Sequence, residues 1–285
     1  MSKMDEFALS RLPHDVSSAA MNPTTNIAAR AAREAGALLL RYFGHVEKID
    51  VREKQANDFV SEVDRASEQI IIQAIKKAFP SHSILAEESG SIKGDNYLWI
   101  IDPLDGTTNY LHGFPQFSIS IALQYKGELE SAVVYDPLKD EMFTADKGNG
   151  AYLNDHRMRV SGIKSLRGAL IGTGIPYRDQ THVDAYFGMM KALMKDAAGI
   201  RRPGSAALDF AYLAAGRIDG FWELGLASWD FAAGSLLVRE AGGLVTDLAG
   251  GNRHLETGNV VAANFKMHQA MLHEIKPFLS PALSM

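Results

Sequence analysis

The feature that most constrains the fold is the segment 98–109, where an apolar run passes directly into a turn rich in carboxylates. It reads LWIIDPLDGTTN, so that Asp102 and Asp105 stand three residues apart at the end of a predicted strand. A tight turn at a strand end can direct both carboxylates to one place. An aspartate often does no more than cap a turn, but capping explains neither the second aspartate nor the Gly-Thr-Thr after it. We therefore interpret the segment as part of a functional site.

The residues between and after the two aspartates favour a metal and an anion as ligands. Pro103 lacks a main-chain donor and fixes the turn, which leaves the Leu104 carbonyl free as a third oxygen ligand. Oxygen ligands that include several carboxylates select a hard cation such as Mg²⁺, and a cation relieves the repulsion between two close carboxylates. Gly106 and the amides after it can cradle an anion. The segment therefore predicts a magnesium site beside an anion site.

Three acidic residues elsewhere could complete this site, although each has a simpler explanation. Glu87 follows a short predicted strand over 83–86 and would reach the same pocket if this strand lay beside the strand ending at Ile101. Otherwise it belongs to a solvated loop. Asp230 opens a predicted helix, where an aspartate commonly serves as an N-cap or as a first-turn charge. Asp64 lies near the start of another helix and has the same alternative. These patterns alone leave all three assignments open.

Hydrophobic periodicity divides the chain into two parts. Apolar residues at three- and four-residue steps predict helices over 23–42 and 62–79, and short β-rich runs follow. One of them, 117–121, alternates strictly, as a strand with one buried face would. Beyond about residue 160, helical patterns alternate with short strands, which is typical of an α/β arrangement. We expect an α+β part over 21–160, which carries most metal ligands, and an α/β part over 161–285, which completes the site.

Composition excludes several classes of protein. The chain has 285 residues with 29 basic and 34 acidic side chains. The net charge of -5 argues against binding of nucleic acid through an overall electrostatic attraction. It has no cysteine, which excludes disulfides, thiolate metal sites and catalytic thiols. No apolar run suits a signal peptide or a transmembrane span, so we expect a cytoplasmic location and no membrane partner.

Residues 1–20 lack periodicity, and we expect a flexible leader or an extension before a second start at Met21.

Three strings together resemble the inositol monophosphatase family. They are EES at 87–89, WIIDPLDGTTN at 99–109 and WDFAAG at 229–234. The resemblance extends over about residues 22–275, and the segment 201–230 resembles a bacterial branch of the family. It implies a mixed α+β and α/β fold, a layered α-β-α-β-α sandwich of the inositol monophosphatase and fructose-1,6-bisphosphatase type. It also implies a homodimer.

The resemblance implies Mg²⁺-dependent hydrolysis of inositol monophosphate, a phosphomonoester, to inositol and phosphate. One Mg²⁺ would be held by Glu87, Asp102 and the Leu104 carbonyl. A second would be shared by Asp102, Asp105 and Asp230, and a third ion is an alternative. A metal-activated water would attack phosphorus in line with the leaving alcohol. The family also implies inhibition by Li⁺.

The same resemblance implies which residues act on the substrate. Thr107 would orient the water, Asp64 would accept the threonine proton, and Glu87 would complete the catalytic set. The substrate-binding residues would be Asp105, Gly106, Thr107, Gly204, Ser205, Ala206, Glu223 and Asp230. Glu223 would face substrate hydroxyls, although an exposed acid at a strand end is the simpler explanation.

Alternatives remain for both substrate and function. The Gly-Thr-Thr-Asn-Tyr version of the motif favours inositol phosphate over fructose 1,6-bisphosphate, histidinol phosphate or a nucleotide 3′-phosphate. The resemblance to the bacterial branch also implies a binding role in transcription antitermination and ribosomal RNA synthesis, with a transcription complex as partner. Arg201 and Arg202 could serve that partner surface or pair with carboxylates at a subunit contact.

Overall fold

The computed structural model describes residues 21–44, 51–55 and 58–284, with only the backbone described for 51–55 and 58–61. The leader expected over 1–20 lies outside the described residues. Within the described part of the chain, no helix combines the length and the apolar character needed to cross a membrane.

The first half of the chain builds a large sheet covered by two helices. The helices are α1 (Pro23–Tyr42), α2 (Glu62–Ala78) and the short α3 (Thr107–Leu111). The strands are β1 (Val51–Gln55), β2 (Asp58–Ser61), β3 (Ser83–Ala86), β4 (Gly90–Ile92), β5 (Tyr97–Asp105), β6 (Ser118–Tyr125), β7 (Glu128–Asp136), β8 (Glu141–Asp146), β9 (Gly150–Leu153) and β10 (His156–Arg157). β1 and β2 pair by themselves, and the others form an eight-stranded sheet in the order β10-β9-β8-β7-β6-β5-β3-β4.

The second half builds a smaller mixed sheet with helices on both faces. The helices are α4 (Val183–Met194), α5 (Ala206–Ala214), α6 (Ser228–Glu240), α7 (His254–Thr257) and α8 (Phe265–Ile275), and 3-10 turns follow at 276–278 and 281–283. The strands are β11 (Leu170–Thr173), β12 (Gly199–Arg201), β13 (Gly220–Glu223), β14 (Leu244–Thr246) and β15 (Val260–Ala263). They lie in the order β12-β11-β13-β15-β14. The boundary expected near residue 160 stays a prediction.

Three apolar clusters show how these elements stack. Helices α1 and α2 pack on one face of the large sheet, and α5 and α6 fill the space between the two sheets. Helices α4 and α8 cover the outer face of the small sheet. The result is the α-β-α-β-α sandwich that the sequence led us to expect, and this prediction is confirmed.

Strand β6 differs from the sequence expectation in a way that matters for the site. The alternating pattern over 117–121 predicted one buried face, but both faces are buried. Ile119 and Ile121 pack with α1 and α2, whereas Ser118 and Ser120 lie beneath α5 and α6. The Ser120 hydroxyl donates to the Trp229 carbonyl at 3.1 Å, and Ser118 Oγ lies 3.2 Å from Ser205 Oγ. The serine face is polar because it contacts the starts of two helices.

The close approach of α5 and α6 depends on a glycine, and we predict that Gly234→Ala destabilises the protein. A Cβ at Gly234 would lie 2.3 Å from the Phe210 Cβ on α5, so the helices would have to separate. We expect the free energy of unfolding in urea to fall by about 1–3 kcal/mol, although alanine favours a helix by about 1 kcal/mol. Gly162→Ala is the control, because a Cβ there has no atom within 4 Å. Equal stability of the two variants would contradict this account.

Candidate active site

Two neighbouring parallel strands bring the first acidic residues together. β3 pairs with β5 in parallel, and their register places Ala86 beside Ile101. Parallel strands end at the same edge of a sheet, so Glu87 and Asp102 follow at that edge. The amide of Glu87 also donates to the Ile101 carbonyl at 3.1 Å. The two strands are therefore neighbours, which is the condition on which the interpretation of Glu87 depended.

A bulge in β5 brings Asp102 and Asp105 to one face. Asp102 pairs with Ser120 and Asp105 with Ser118, so that β5 contains one more residue than β6 over this stretch. Residues three apart in a regular strand face opposite ways, and the extra residue restores a common side. Both aspartates thereby share the face of Ser118 and Ser120, toward α5 and α6. Within the bulge, the Leu104 amide donates to Asp102 Oδ1 at 2.9 Å.

The start of α5 holds the second aspartate in place. Asp105 Oδ2 accepts the Ser205 hydroxyl at 2.6 Å and the Ala207 amide at 2.7 Å. Ser205 is the N-cap residue of α5. The first donors of this helix therefore bind a carboxylate of the large sheet. Ser205 was predicted to bind substrate, but its hydroxyl proton is engaged by Asp105. One oxygen of Asp105 is thus fixed by the protein.

Helix α6 adds a further carboxylate from its first turn. Asp230 Oδ2 accepts the Ala227 amide at 2.7 Å, which closes a capping arrangement. The simpler explanation of Asp230 as a residue that caps its own helix therefore holds, but this bond uses only one oxygen. Its charge also acts on Asp102 and Glu223, so that the side chain both caps α6 and faces the carboxylates of the large sheet.

Thr107 connects the aspartate turn to α2. Its hydroxyl lies 3.1 Å from Asp64 Oδ1 and 3.0 Å from the Leu104 carbonyl oxygen. The hydroxyl has one proton, so it can donate to only one of these acceptors at a time. The Leu104 carbonyl, expected to be free, therefore has Thr107 as a neighbour. Asp64 is only 1% exposed, which places this pair away from bulk water.

Burial raises the pKa values of the three site aspartates, and repulsion by neighbouring carboxylates adds to the shifts of Asp102 and Asp230. Burial raises the pKa of Asp102 well above its ordinary value, and the charge of Glu87 is the next largest cause. Burial raises the pKa of Asp105 to about 6, while the bond from Ser205 opposes the shift. Burial, followed by the charge of Asp105, raises the pKa of Asp230 to about 8. The cluster is therefore costly to ionise unless positive charge is supplied.

These residues have the chemistry that a hard divalent cation requires. The donor set consists of carboxylates and a main-chain carbonyl, which suit Mg²⁺. Asp102, Asp105 and Asp230 each have one oxygen held by a protein donor, which fixes their orientation. Among the residues described, no three acidic or histidine side chains converge closely enough to form a ready-made metal cage. The fit therefore rests on the kind of donor and on the shared negative charge.

A cavity of about 590 Å³ lies over the carboxylates and is lined by both halves of the chain. Its lining includes Glu87, Asp102, Leu104, Asp105, Gly106, Thr107, Gly204, Ser205, Ala206, Glu223 and Asp230, so it contains every predicted site residue except Asp64. Asp64 contacts Thr107, which lines the cavity. The volume is suited to a small ligand.

The end of the cavity contributed by the small sheet has a different character. Glu223 ends β13 and is half-buried rather than exposed, and burial raises its pKa to about 8. Its carboxyl lies against Gly174, where an added Cβ would fall 1.6 Å from Oε1. At the mouth, the Arg202 guanidinium lies over the Tyr177 ring at 5.2 Å. This end can therefore offer both a carboxyl group and a cation to a ligand.

Three polar residues near the cavity were not predicted from the sequence. Asp209 lies in the first turn of α5, 2% exposed, and lines the cavity with Arg178. A lone acid in the otherwise apolar sequence AALDFAYLA was an available signal. Glu68 lies one helical turn after Asp64, and this four-residue spacing would have placed both on one face of α2. Arg178 carried no comparable signal.

Comparisons with known proteins show the family to which the chain belongs. The inositol monophosphatase family model matches residues 20–278. A Pseudomonas aeruginosa protein named Nus factor SuhB is 55% identical over 269 residues, which cover 92% of this chain and 99% of that protein. The structure of extragenic suppressor protein suhB from Bartonella henselae is 45% identical, with a TM-score of 0.87 and coverage of 89% and 98%. An inositol monophosphatase from Anabaena (Nostoc) is 38% identical, with a TM-score of 0.78 and coverage of 89% and 95%.

The raised pKa of Asp230 predicts how the stability of the metal-free protein depends on pH. Its value is about 8 in the folded chain against an ordinary 3.8, so unfolding releases a proton between these values and stability falls as the pH rises through this window. Asp230→Asn keeps the acceptor for Ala227 and removes this loss. In a chelator, we expect its thermal midpoint at pH 8 to exceed that of the wild type by at least about 2 °C.

The two midpoints should converge as the pH falls toward 4, where Asp230 is protonated in the folded chain and becomes protonated in the unfolded chain as well. Asp155→Asn changes an exposed aspartate and should show no such trend. A constant difference between Asp230→Asn and the wild type at all pH values would contradict the prediction.

Proposed function

Because the chain belongs to the inositol monophosphatase family, we propose that it is a Mg²⁺-dependent phosphatase that hydrolyses inositol 1-phosphate to inositol and phosphate. The observation that carries the proposal is one cavity with carboxylates from β3, β5 and α6 at its floor and Thr107 paired with Asp64 beside them. We propose a homodimer and a cytoplasmic location on the basis of the family.

Five residues would hold the Mg²⁺ ions. They are Glu87, Asp102, Asp105, Asp230 and the Leu104 carbonyl, and we propose two or three ions. Bound there, Mg²⁺ would neutralise charge on the phosphate and lower the pKa of a water molecule. In the protein itself, the bonds from Leu104, Ser205 and Ala227 hold the aspartates in fixed orientations before a ligand arrives, so less side-chain freedom is lost on binding.

Thr107 and Asp64 would orient the attacking water. When the Thr107 hydroxyl donates to Asp64, its oxygen keeps lone pairs that can accept an O–H bond from a water held next to phosphorus. The water oxygen bonds to phosphorus while the bond from phosphorus to the alcohol oxygen breaks, and the departing alcohol oxygen takes up a proton from solvent water. Glu87, half-buried at the same edge, is a carboxylate that can take the proton released by the water.

The remaining residues would bind the two ends of the substrate. The main chain of Gly106 and Thr107, with Asp105 and Asp230 nearby, would face the phosphate. Residues 204–206 line the wall between the phosphate end and the sugar end. Glu223 would exchange hydrogen bonds with ring hydroxyls, and its raised pKa lets it donate as well as accept near neutral pH. A polyol with several free hydroxyls suits this end of the cavity.

The test is phosphate release from inositol 1-phosphate, fructose 1,6-bisphosphate and 3′-phosphoadenosine 5′-phosphate, each with and without Mg²⁺. We expect turnover to require Mg²⁺, to be highest with inositol 1-phosphate and to be inhibited by Li⁺. Higher turnover of another ester would keep the reaction and change the substrate. No turnover of any ester by protein that binds metal would contradict the proposal.

Asp102→Asn tests the proposed metal site directly, because Asp102 would contact both metals. Changes behind a metal ligand typically reduce affinity or activity about 10–100-fold, so we expect loss of this ligand to reduce turnover by more than about 100-fold. Its metal-free stability should be kept, since the change removes a repelling charge. Asp136→Asn alters a fully buried aspartate of the β7–β8 turn, away from the cavity, and should keep its turnover.

We propose a binding role in transcription antitermination and ribosomal RNA synthesis as a second candidate. It is favoured by the 55% identical relative that is named Nus factor SuhB. The neighbours Arg201 and Arg202 are both exposed, and Arg202 lines the cavity. We assign both to a partner surface, with a subunit contact as the alternative.

A pull-down of polymerase-associated factors and ribosomal RNA tests this second role. We expect Asp102→Asn to capture the same partners as the wild type, because binding would not need the metals. Arg201→Ala with Arg202→Ala should reduce capture, and added salt should weaken it. Capture that disappears in Asp102→Asn, or none by the wild type, would contradict a binding role independent of catalysis.

A further inference from the structure

One face of α2 contacts two of the three segments that carry the proposed metal ligands. Asp64 pairs with Thr107 after the aspartate turn. Ser67 is fully buried, and its hydroxyl donates to the Pro103 carbonyl at 2.9 Å, within the bulge between the two aspartates. Glu68 is 3% exposed and reaches the turn that follows β3. Three polar residues within five positions of one helix therefore hold two separate parts of the site.

Glu68 makes two hydrogen bonds to consecutive amides. Its Oε2 accepts the Glu88 amide at 2.8 Å, and its Oε1 accepts the Ser89 amide at 2.9 Å. The amide just before them, that of Glu87, donates to the Ile101 carbonyl on β5 at 3.1 Å. The three successive amides are thus bound on two sides, by a neighbouring strand and by a buried carboxylate.

This arrangement matters because Glu87 is carried by a turn and not by a regular element. The aspartates of β5 lie in a strand, and Asp230 lies in a helix, so hydrogen bonds of those elements fix their backbones. Residues 87–89 connect β3 to β4 and have no such ladder. Without Glu68, the turn amides would lose their buried acceptor, and the position of the Glu87 side chain at the cavity would become less defined.

We infer that Glu68 is a positioning residue, which holds the backbone of the 87–89 turn so that the Glu87 carboxylate faces the metal site. The inference rests on the proposed function, since it assumes that Glu87 is a metal ligand. Glu68 does not line the cavity and acts through Glu87 alone. It therefore sets the affinity for the cation without touching cation or substrate.

A purely structural role for Glu68 would predict a loss of stability and nothing more, and Glu240 provides the matched control. Glu240 ends α6 and accepts the amides of Gly148 and Gly150, both at 2.8 Å, in the turn between β8 and β9. It has the same residue type, the same number of amide donors and nearly the same distances, and it lies outside the cavity lining. Substitution of either glutamate by glutamine replaces one acceptor oxygen with an NH₂ group. That donor would face a backbone N–H, which needs an acceptor.

The experiment measures Mn²⁺ binding to metal-free protein by equilibrium dialysis, with urea unfolding of each variant alongside. We expect Glu68→Gln to raise the dissociation constant for Mn²⁺ by about 10-fold or more, the usual effect of a change behind a metal ligand. Glu240→Gln should bind as the wild type does, although both variants lose stability. If Glu68→Gln does not fold, Glu68→Asp replaces it, because one methylene less prevents the carboxylate from reaching both amides.

A double-mutant cycle identifies the residue through which Glu68 acts. Glu87→Ala should weaken Mn²⁺ binding, and adding Glu68→Gln to it should cause no further loss. Binding by Glu68→Gln equal to that of the wild type, equal weakening by Glu240→Gln, or additive effects in the cycle would each overturn the inference. Failure of the wild type itself to bind Mn²⁺ would overturn the proposed metal function and the inference together, whereas the other outcomes leave the metal function intact.

Discussion

The repulsion between carboxylates drawn from separate elements is the constraint on which the rest of the site depends. Burial raises the pKa values of Asp102 and Asp230, and the charges of neighbouring carboxylates, Glu87 and Asp105 among them, raise both further. Left to itself, a group of like charges would move apart or take up protons. The protein counters this with neutral donors, such as the Ser205 hydroxyl, which hold individual oxygens without cancelling their charge. The site is thereby rigid while its negative charge stays available.

The architecture supplies those donors from the layer between the two sheets. Helix α5 starts at the edge where β3 and β5 end, so that its first hydroxyl and amide donors bind the Asp105 carboxylate of β5. At the start of α6, the Ala227 amide binds Asp230 of the same helix. The positive ends of helix dipoles favour negative charge at that position. Gly234 allows the two helices to pack closely enough for both starts to face the large sheet. The same layer that fills the core therefore also orients the site.

The cavity joins two kinds of chemistry because each half of the chain lines one end. The strand ends of the large sheet contribute acidic oxygens suited to a cation and a phosphate. The small sheet contributes Glu223 and helix α5 contributes Asp209, with Arg202 at the mouth. Substrate choice therefore depends largely on a part of the chain that is remote in sequence from Glu87, Asp102 and Asp105, and the Gly-Thr-Thr-Asn-Tyr version of the motif bears on it only indirectly.

By itself the sequence determined the main helices and the Asp102–Asp105 turn, because periodicity and strand-end motifs are local properties, and its resemblance to a known family implied the five-layer fold class and the remaining carboxylates. It did not determine that Glu87 lies beside Asp102, that a bulge places Asp102 and Asp105 on one face, or that Glu68 holds the turn at 87–89. These depend on strand order, on register and on contacts between residues far apart in the chain. Local patterns are silent about such contacts, since the free energy that selects among them comes from packing the whole core. Only the tertiary structure decided them.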